Sequence, residues 1–134
     1  MHFETPIYAT VEQLRDLVIR AVAQFRRDIK PVLGVTLIEE VGVMAILVRR
    51  AAVARGTDKL PFYGQLTEVV EYTEFLLKGA FNTKHLPASM YAAANSYLGL
   101  ARQATHSHRD RARIANLARR RGFAVDHPLT KVYS

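Results

Sequence analysis

The chain has 134 residues, enough for one domain with a single core, and its apolar share of 49% is that of a globular protein. It contains no cysteine, which excludes a disulfide scaffold, thiol catalysis and zinc sites built on thiolate. The net charge of +7 is unevenly placed: residues 102 to 121 hold seven arginines against one acid, Asp110, and the remainder is nearly neutral.

The N-terminal stretch "MHFETPIYAT" has no basic region followed by an apolar run, so no signal peptide is expected and the cytoplasm is the expected location. Beyond it, Val11, Leu14, Val18, Ala21, Phe25 and Ile29 recur at steps of three and four. That period predicts an amphipathic first helix, with Thr10 as N-cap. Pro31 interrupts the pattern, which places a turn over 28–31 and makes Asp28 a candidate cap for the next helix.

The second helix is predicted from Pro31 to Ala54. Only Glu39 and Glu40 are charged between Lys30 and Arg49, and Val41, Val43, Met44, Ile46, Leu47 and Val48 point all round the helix. A membrane span needs ~20 predominantly apolar residues, and a carboxylate at the bilayer centre is costly. The short apolar run and its two glutamates therefore favour burial on two sides, against the bundle and against another subunit. Gly34 and Gly42 permit close backbone approach.

"RGTDKLP" reads as a turn, with Thr57 or Asp58 as cap and Pro61 in the first turn of a third helix. That helix is predicted over 59–79, with Tyr63, Leu66, Val70, Thr73, Leu77 and Ala80 as its stripe. A fourth follows "FNTKHLPAS", with Met90, Ala93 or Ala94, Tyr97, Leu100 or Ala101, and Ala104 in period. Beyond "THSHRD" a separate, shorter helix is expected, then an irregular tail, "RGFAVDHPLTKVYS". Four helices on short connections prescribe an all-α, up-down-up-down bundle. The expected division is a bundle over 1–105 and a basic extension over 106–134.

"HSHRD" places His106, His108 and Asp110 in alternation, superficially an H-x-H-x-D metal motif. On a helix, residues two apart diverge by about 200°, so no metal site is expected. Glu68, Glu71 and Glu74 read as a salt-bridged surface, and no Glu-x-x-His pair accompanies them. Gly-x-Ser-x-Gly and Gly-rich phosphate loops are absent. Neither enzymatic activity nor a cofactor is expected.

The arginines carry more. Arg102, Arg109, Arg111, Arg113, Arg119, Arg120 and Arg121 suit phosphate contacts, whose affinity comes from counterion release. Few aromatics accompany them, so base stacking is not the expected mode. Arg26, Arg27 and Lys30 are expected to add to the same surface. RNA, DNA or both are the expected ligands.

The stretches "PIYATVEQL", "FRRDIKPVLG" and "LTEVVEYTEFLLKGAFNTKHLPASMY" bring a family into view. Over about residues 6 to 105 the chain resembles the small four-helix-bundle proteins that include the accessory variability protein of diversity-generating retroelements. Proteins encoded in intervening sequences of ribosomal RNA genes are relatives of that family. Pro6-Ile7-Tyr8, Lys30 with Leu33-Gly34, and Glu71, Leu77-Lys78, Leu86, Ser89 and Tyr91 carry the likeness. The resemblance implies a basic homopentamer that binds a reverse transcriptase and nucleic acid and assists cDNA synthesis from a template RNA. It carries over no catalytic residues. After Ala104 the chain departs from the pattern, and its last thirty residues are vaguely similar to the C-terminal ends of some bacterial reverse transcriptases, without the polymerase's aspartate motif. The rival expectation is a protein-interaction bundle, scaffold or adaptor, with no direct nucleic-acid role.

Overall fold

The computed structural model describes residues 6–121. The expected irregular tail lies, apart from Arg121, outside the described residues. Four helices form an antiparallel bundle: α1 (Pro6–Ala23), α2 (Val35–Val53), α3 (Leu60–Asn82) and α4 (Ala88–Arg120). Each packs against its chain neighbours and α1 closes the ring against α4. This is the all-α, up-down-up-down arrangement that the short connections prescribe.

The apolar stripes become the core. Val11, Leu14, Val18 and Ala21 of α1 and Phe25 just beyond it are buried, as are all six expected residues of α3. In α4 the seam is made by Ala94, Leu98, Ala101 and Thr105, while Leu100 is exposed. The helix ends differ from expectation. Helix α1 begins at Pro6, so Thr10 lies inside it; Ile7 is buried and extends the stripe by one turn. Asp28 pairs with Arg26 instead of capping, at 3.5 Å. No side-chain cap closes the N-terminus of α3, which is preceded by a 3-10 turn, Gly56–Lys59.

Helix α2 is entered through a π-helical turn, Lys30–Gly34. Gly34 is buried there, and a Cβ on it would lie 2.6 Å from Cγ1 of Val22, so α1 and this turn meet closer than any side chain allows. By length and composition alone, Lys30–Val53 could cross a membrane. In the fold its inner face supplies Leu37, Val41, Met44 and Val48 to the core. Its outer side carries apolar residues beside the exposed Glu39, Arg49 and Arg50. Val35, Gly42, Ile46 and Val53 recur at steps of seven, four and seven, and Val35, Ile46 and Val53 are all about half exposed. Among the described residues nothing outside the adjoining helix backbone lies within 4 Å of where a Gly42 Cβ would be.

Helix α4 runs unbroken for 33 residues, through both "THSHRD" and the 105/106 position where the bundle was expected to end. The separate short helix is therefore part of α4. The second half of α4 packs on the Gly56–Lys59 turn, and Ala112 joins the core. Small residues there let the helix lie close to the turn, and the run of polar residues is its outer surface.

Candidate nucleic-acid interface

Antiparallel packing divides the basic residues between the two ends of the bundle. Arg26, Arg27 and Lys30 lie beyond the C-terminus of α1, where Phe25 packs its ring 5.7 Å from that of His85, just before α4 begins. The arginine arm is at the opposite end of α4. A helix of 33 residues spans roughly 50 Å, several times the Debye length of about 8 Å at physiological salt. The structure thus does not bring Arg26, Arg27 and Lys30 onto the surface of the arm. Two of the three have local uses: Arg26 pairs with Asp28, and Lys30 Nζ donates to the Ala23 carbonyl at 3.2 Å, satisfying an end of α1.

On α4 the arginines sort by helical phase. Arg102, Arg109, Arg113 and Arg120 follow steps of seven, four and seven and share one face; Arg111, Arg119 and Arg121 point elsewhere. Arg102 is engaged by the Glu74 carboxylate of α3. Arg109 is half-buried and donates to His106 Nδ1, which fixes the lone pair on that nitrogen; its Nε has no partner among the described residues. Arg111, Arg113, Arg119, Arg120 and Arg121 are exposed. Glu68 and Glu71 are exposed on α3, so of the three glutamates only Glu74 meets the arm. His106 and His108 diverge: His108 turns inward and stacks on Tyr63, with ring centroids 6.1 Å apart and planes 14° from parallel. No group of three metal-ligating side chains is gathered among the described residues.

The arm meets a second set of basic groups on the α2–α3 turn. Lys59 Nζ donates to the Ala51 carbonyl at 2.9 Å, closing the end of α2, and its burial lowers its pKa. The Arg119 guanidinium lies over Gly56, whose φ is +59°, and a Cβ there would sit 3.4 Å from the nearer nitrogen. Glycine serves both the backbone conformation and the close approach. His108 has its pKa lowered first by burial, then by the charges of Arg111 and Lys59. Burial raises the pKa of Tyr63, with Arg111 acting in the opposite sense. Arg55 is exposed at the start of the same turn. Among the described residues no carboxylate is paired with Lys59, Arg111 or Arg119; the three ion pairs are Arg15–Glu12, Arg26–Asp28 and Arg102–Glu74.

Reading the sequence missed Lys59, Gly56 and the inward turn of His108. A signal existed in "RGTDKLP", a glycine and a lysine immediately ahead of a helix, but only the tertiary fold sets it under Arg119. The geometry can bind anions: guanidinium groups on an exposed helix face, next to a turn that carries further cations. No family model, no curated protein and no solved structure matches the chain.

Proposed function

We propose that this protein is a non-catalytic, oligomeric nucleic-acid-binding bundle that serves as an accessory to a reverse transcriptase. The observation that supports binding is the exposed second half of α4. Arg111, Arg113, Arg119, Arg120 and Arg121 stand there in solvent, with Asp110 the only acid of residues 102 to 121. Such a surface meets phosphates through Coulomb attraction and counterion release. It positions nucleic acid without reading bases. The apolar residues on the outer side of α2 support self-association, because Val35, Ile46 and Val53 are about half exposed at helical spacing in the single chain. The reverse transcriptase as protein partner, a diversity-generating retroelement as setting and five as the subunit count rest on the family resemblance alone.

Equilibrium binding to duplex DNA and to RNA over a salt series tests the reading. With about five phosphates neutralised, log K is expected to fall with log salt at a slope of roughly −4 to −5 for duplex and less steeply for single strands. Discrimination between sequences is expected to be weak. An affinity that is absent, or independent of salt, overturns the reading in favour of a protein-interaction bundle. Copurification of a reverse transcriptase with the tagged protein from its native cell tests the partner.

A further inference from the structure

We propose that Lys59, Arg111 and Arg119, gathered where α4 crosses the α2–α3 turn, form a seat for a single phosphate group, with His108 at its inner wall. The proposal rests on the nucleic-acid reading and deepens it, by naming where on the basic surface a backbone phosphate is held.

The fold leaves these cations without an ion-pair partner among the described residues. His108 stacks on Tyr63, one turn after Lys59, and Arg111 follows His108 by one turn of α4, which runs antiparallel to α3 and packs on the Gly56–Lys59 turn. Arg119 sits over Gly56, three residues before Lys59 in the same turn. Holding like charges together costs free energy, and the fold adds to it by half-burying Lys59. Asp58 belongs to the same turn and Asp110 adjoins Arg111, but among the described residues no carboxylate forms an ion pair with any of the three cations. The Lys59 ammonium uses one donor on the Ala51 carbonyl, and an ammonium has three. Arg111 and Arg119 are exposed, and their guanidinium groups only donate hydrogen bonds. The 23-residue helix α3 begins at Leu60, and its N-terminal partial positive charge adds to the same field. A tetrahedral anion suits such a set, since its oxygens accept from several cations at once.

His108 reports on the seat. Tyr63 of α3, Lys59 of the turn and Arg111 of α4 are the titratable groups that face it among the described residues. The free protein holds the imidazole neutral near pH 7. A phosphate placed among the cations offsets part of the repelling field, so the ring gains a proton more easily when the seat is filled. Binding is then linked to proton uptake and strengthens as pH falls.

The test follows the ring resonances of His108 by NMR, assigned with His108→Gln, as pyrophosphate or a short duplex DNA is added to the full chain. Both ligands are expected to raise its titration midpoint. The Arg111→Gln/Arg119→Gln variant changes only exposed side chains; it is expected to lose this response, to bind duplex about tenfold more weakly, and to show a salt slope smaller in magnitude by about 1. Unchanged affinity and slope in that variant overturn the seat and leave the arm's role intact. A wild-type protein that binds pyrophosphate here but no nucleic acid has a seat for a free phosphate ligand, and the nucleic-acid reading falls instead. A His108 resonance that moves with neither ligand overturns the seat. Should the double variant not fold, Arg111→Gln alone decides: removing one repelling charge is expected to raise the His108 midpoint in the free protein, and an unchanged midpoint overturns the proposed grouping.

Discussion

Gly34 and Gly42 lie eight residues apart on one apolar helical stretch, and alanine is expected to have opposite effects at the two. At Gly34 the backbone is helical, with φ −64° and ψ −48°, so propensity alone favours alanine by up to about 1 kcal/mol. The added methyl, however, would meet Val22 Cγ1 at 2.6 Å. Valine is stiff at χ1, and Val22 is 4% exposed in the middle of the α1 contact, so it has nowhere to turn. Overpacking of this kind costs roughly 1–3 kcal/mol. The net expectation for Gly34→Ala is a loss of about 1–2 kcal/mol, or a melting temperature lower by roughly 3–8 °C for a domain of this size. At Gly42 nothing outside the adjoining helix backbone lies within 4 Å among the described residues, so only the propensity gain remains and Gly42→Ala is expected to raise the melting temperature. Thermal unfolding by circular dichroism at low protein concentration checks both. Val22→Ala removes the methyl that clashes, so it is expected to cost less in the Gly34→Ala background than alone, and the double variant is less destabilised than the two single changes summed. A Gly34→Ala protein that melts above wild type would refute the close approach of α1 to the π-helical turn.

His108 also makes stability depend on pH. Its folded-state pKa lies below its unfolded value, so the unfolded chain binds the proton first; the neutral ring's contribution is full above about pH 6.5 and is lost as pH falls toward the folded value. His108→Gln should therefore lose less melting temperature than wild type between pH 7.5 and 5, and equal losses would contradict the burial of the ring. Self-association through α2 is expected at micromolar concentration, where burying its exposed apolar residues recovers about 25 cal/mol per Å² before association costs. Light scattering should find a stable oligomer for wild type and a folded monomer for Val35→Lys/Ile46→Lys; a wild-type monomer would leave the α2 face without a role in assembly. Breaking the Arg102 contact by Glu74→Gln is expected to cost at most about 1 kcal/mol, since both side chains remain more than a third exposed, and a melt that loses much more would mean that the pair is shielded from water.

The helical stripes were legible because burial follows a period that sequence displays directly. All six core positions of α3 could be read this way. Ends were harder. Thr10 looked like a cap because the stripe was begun at Val11, although Pro6 and a buried Ile7 one turn earlier extend the same period. The continuity of α4 was hidden because its second half docks with small residues such as Ala112, which register weakly as apolar. The basic surface was half legible. Counting charge along the chain finds the arm, whose residues are consecutive turns of one helix. It cannot separate Arg26, Arg27 and Lys30 from that arm, because their distance is set by the direction of α1 against α4. Nor can it join Lys59 to Arg119, sixty residues apart in sequence, as Gly56 and Arg119 are joined by a contact across the turn.

The most direct test of the central claim is the salt dependence of duplex binding by wild type and by a variant with Arg109, Arg111, Arg113, Arg119, Arg120 and Arg121 all changed to glutamine, measured by fluorescence anisotropy. Five of these side chains are exposed and Arg109 is half-buried, so the helical signal of the bundle should survive. The expected result is a slope of roughly −4 to −5 for wild type that falls to about −1 or less in the variant. A variant that keeps the wild-type affinity and slope would contradict the claim and make the arm a solvated surface of an interaction bundle.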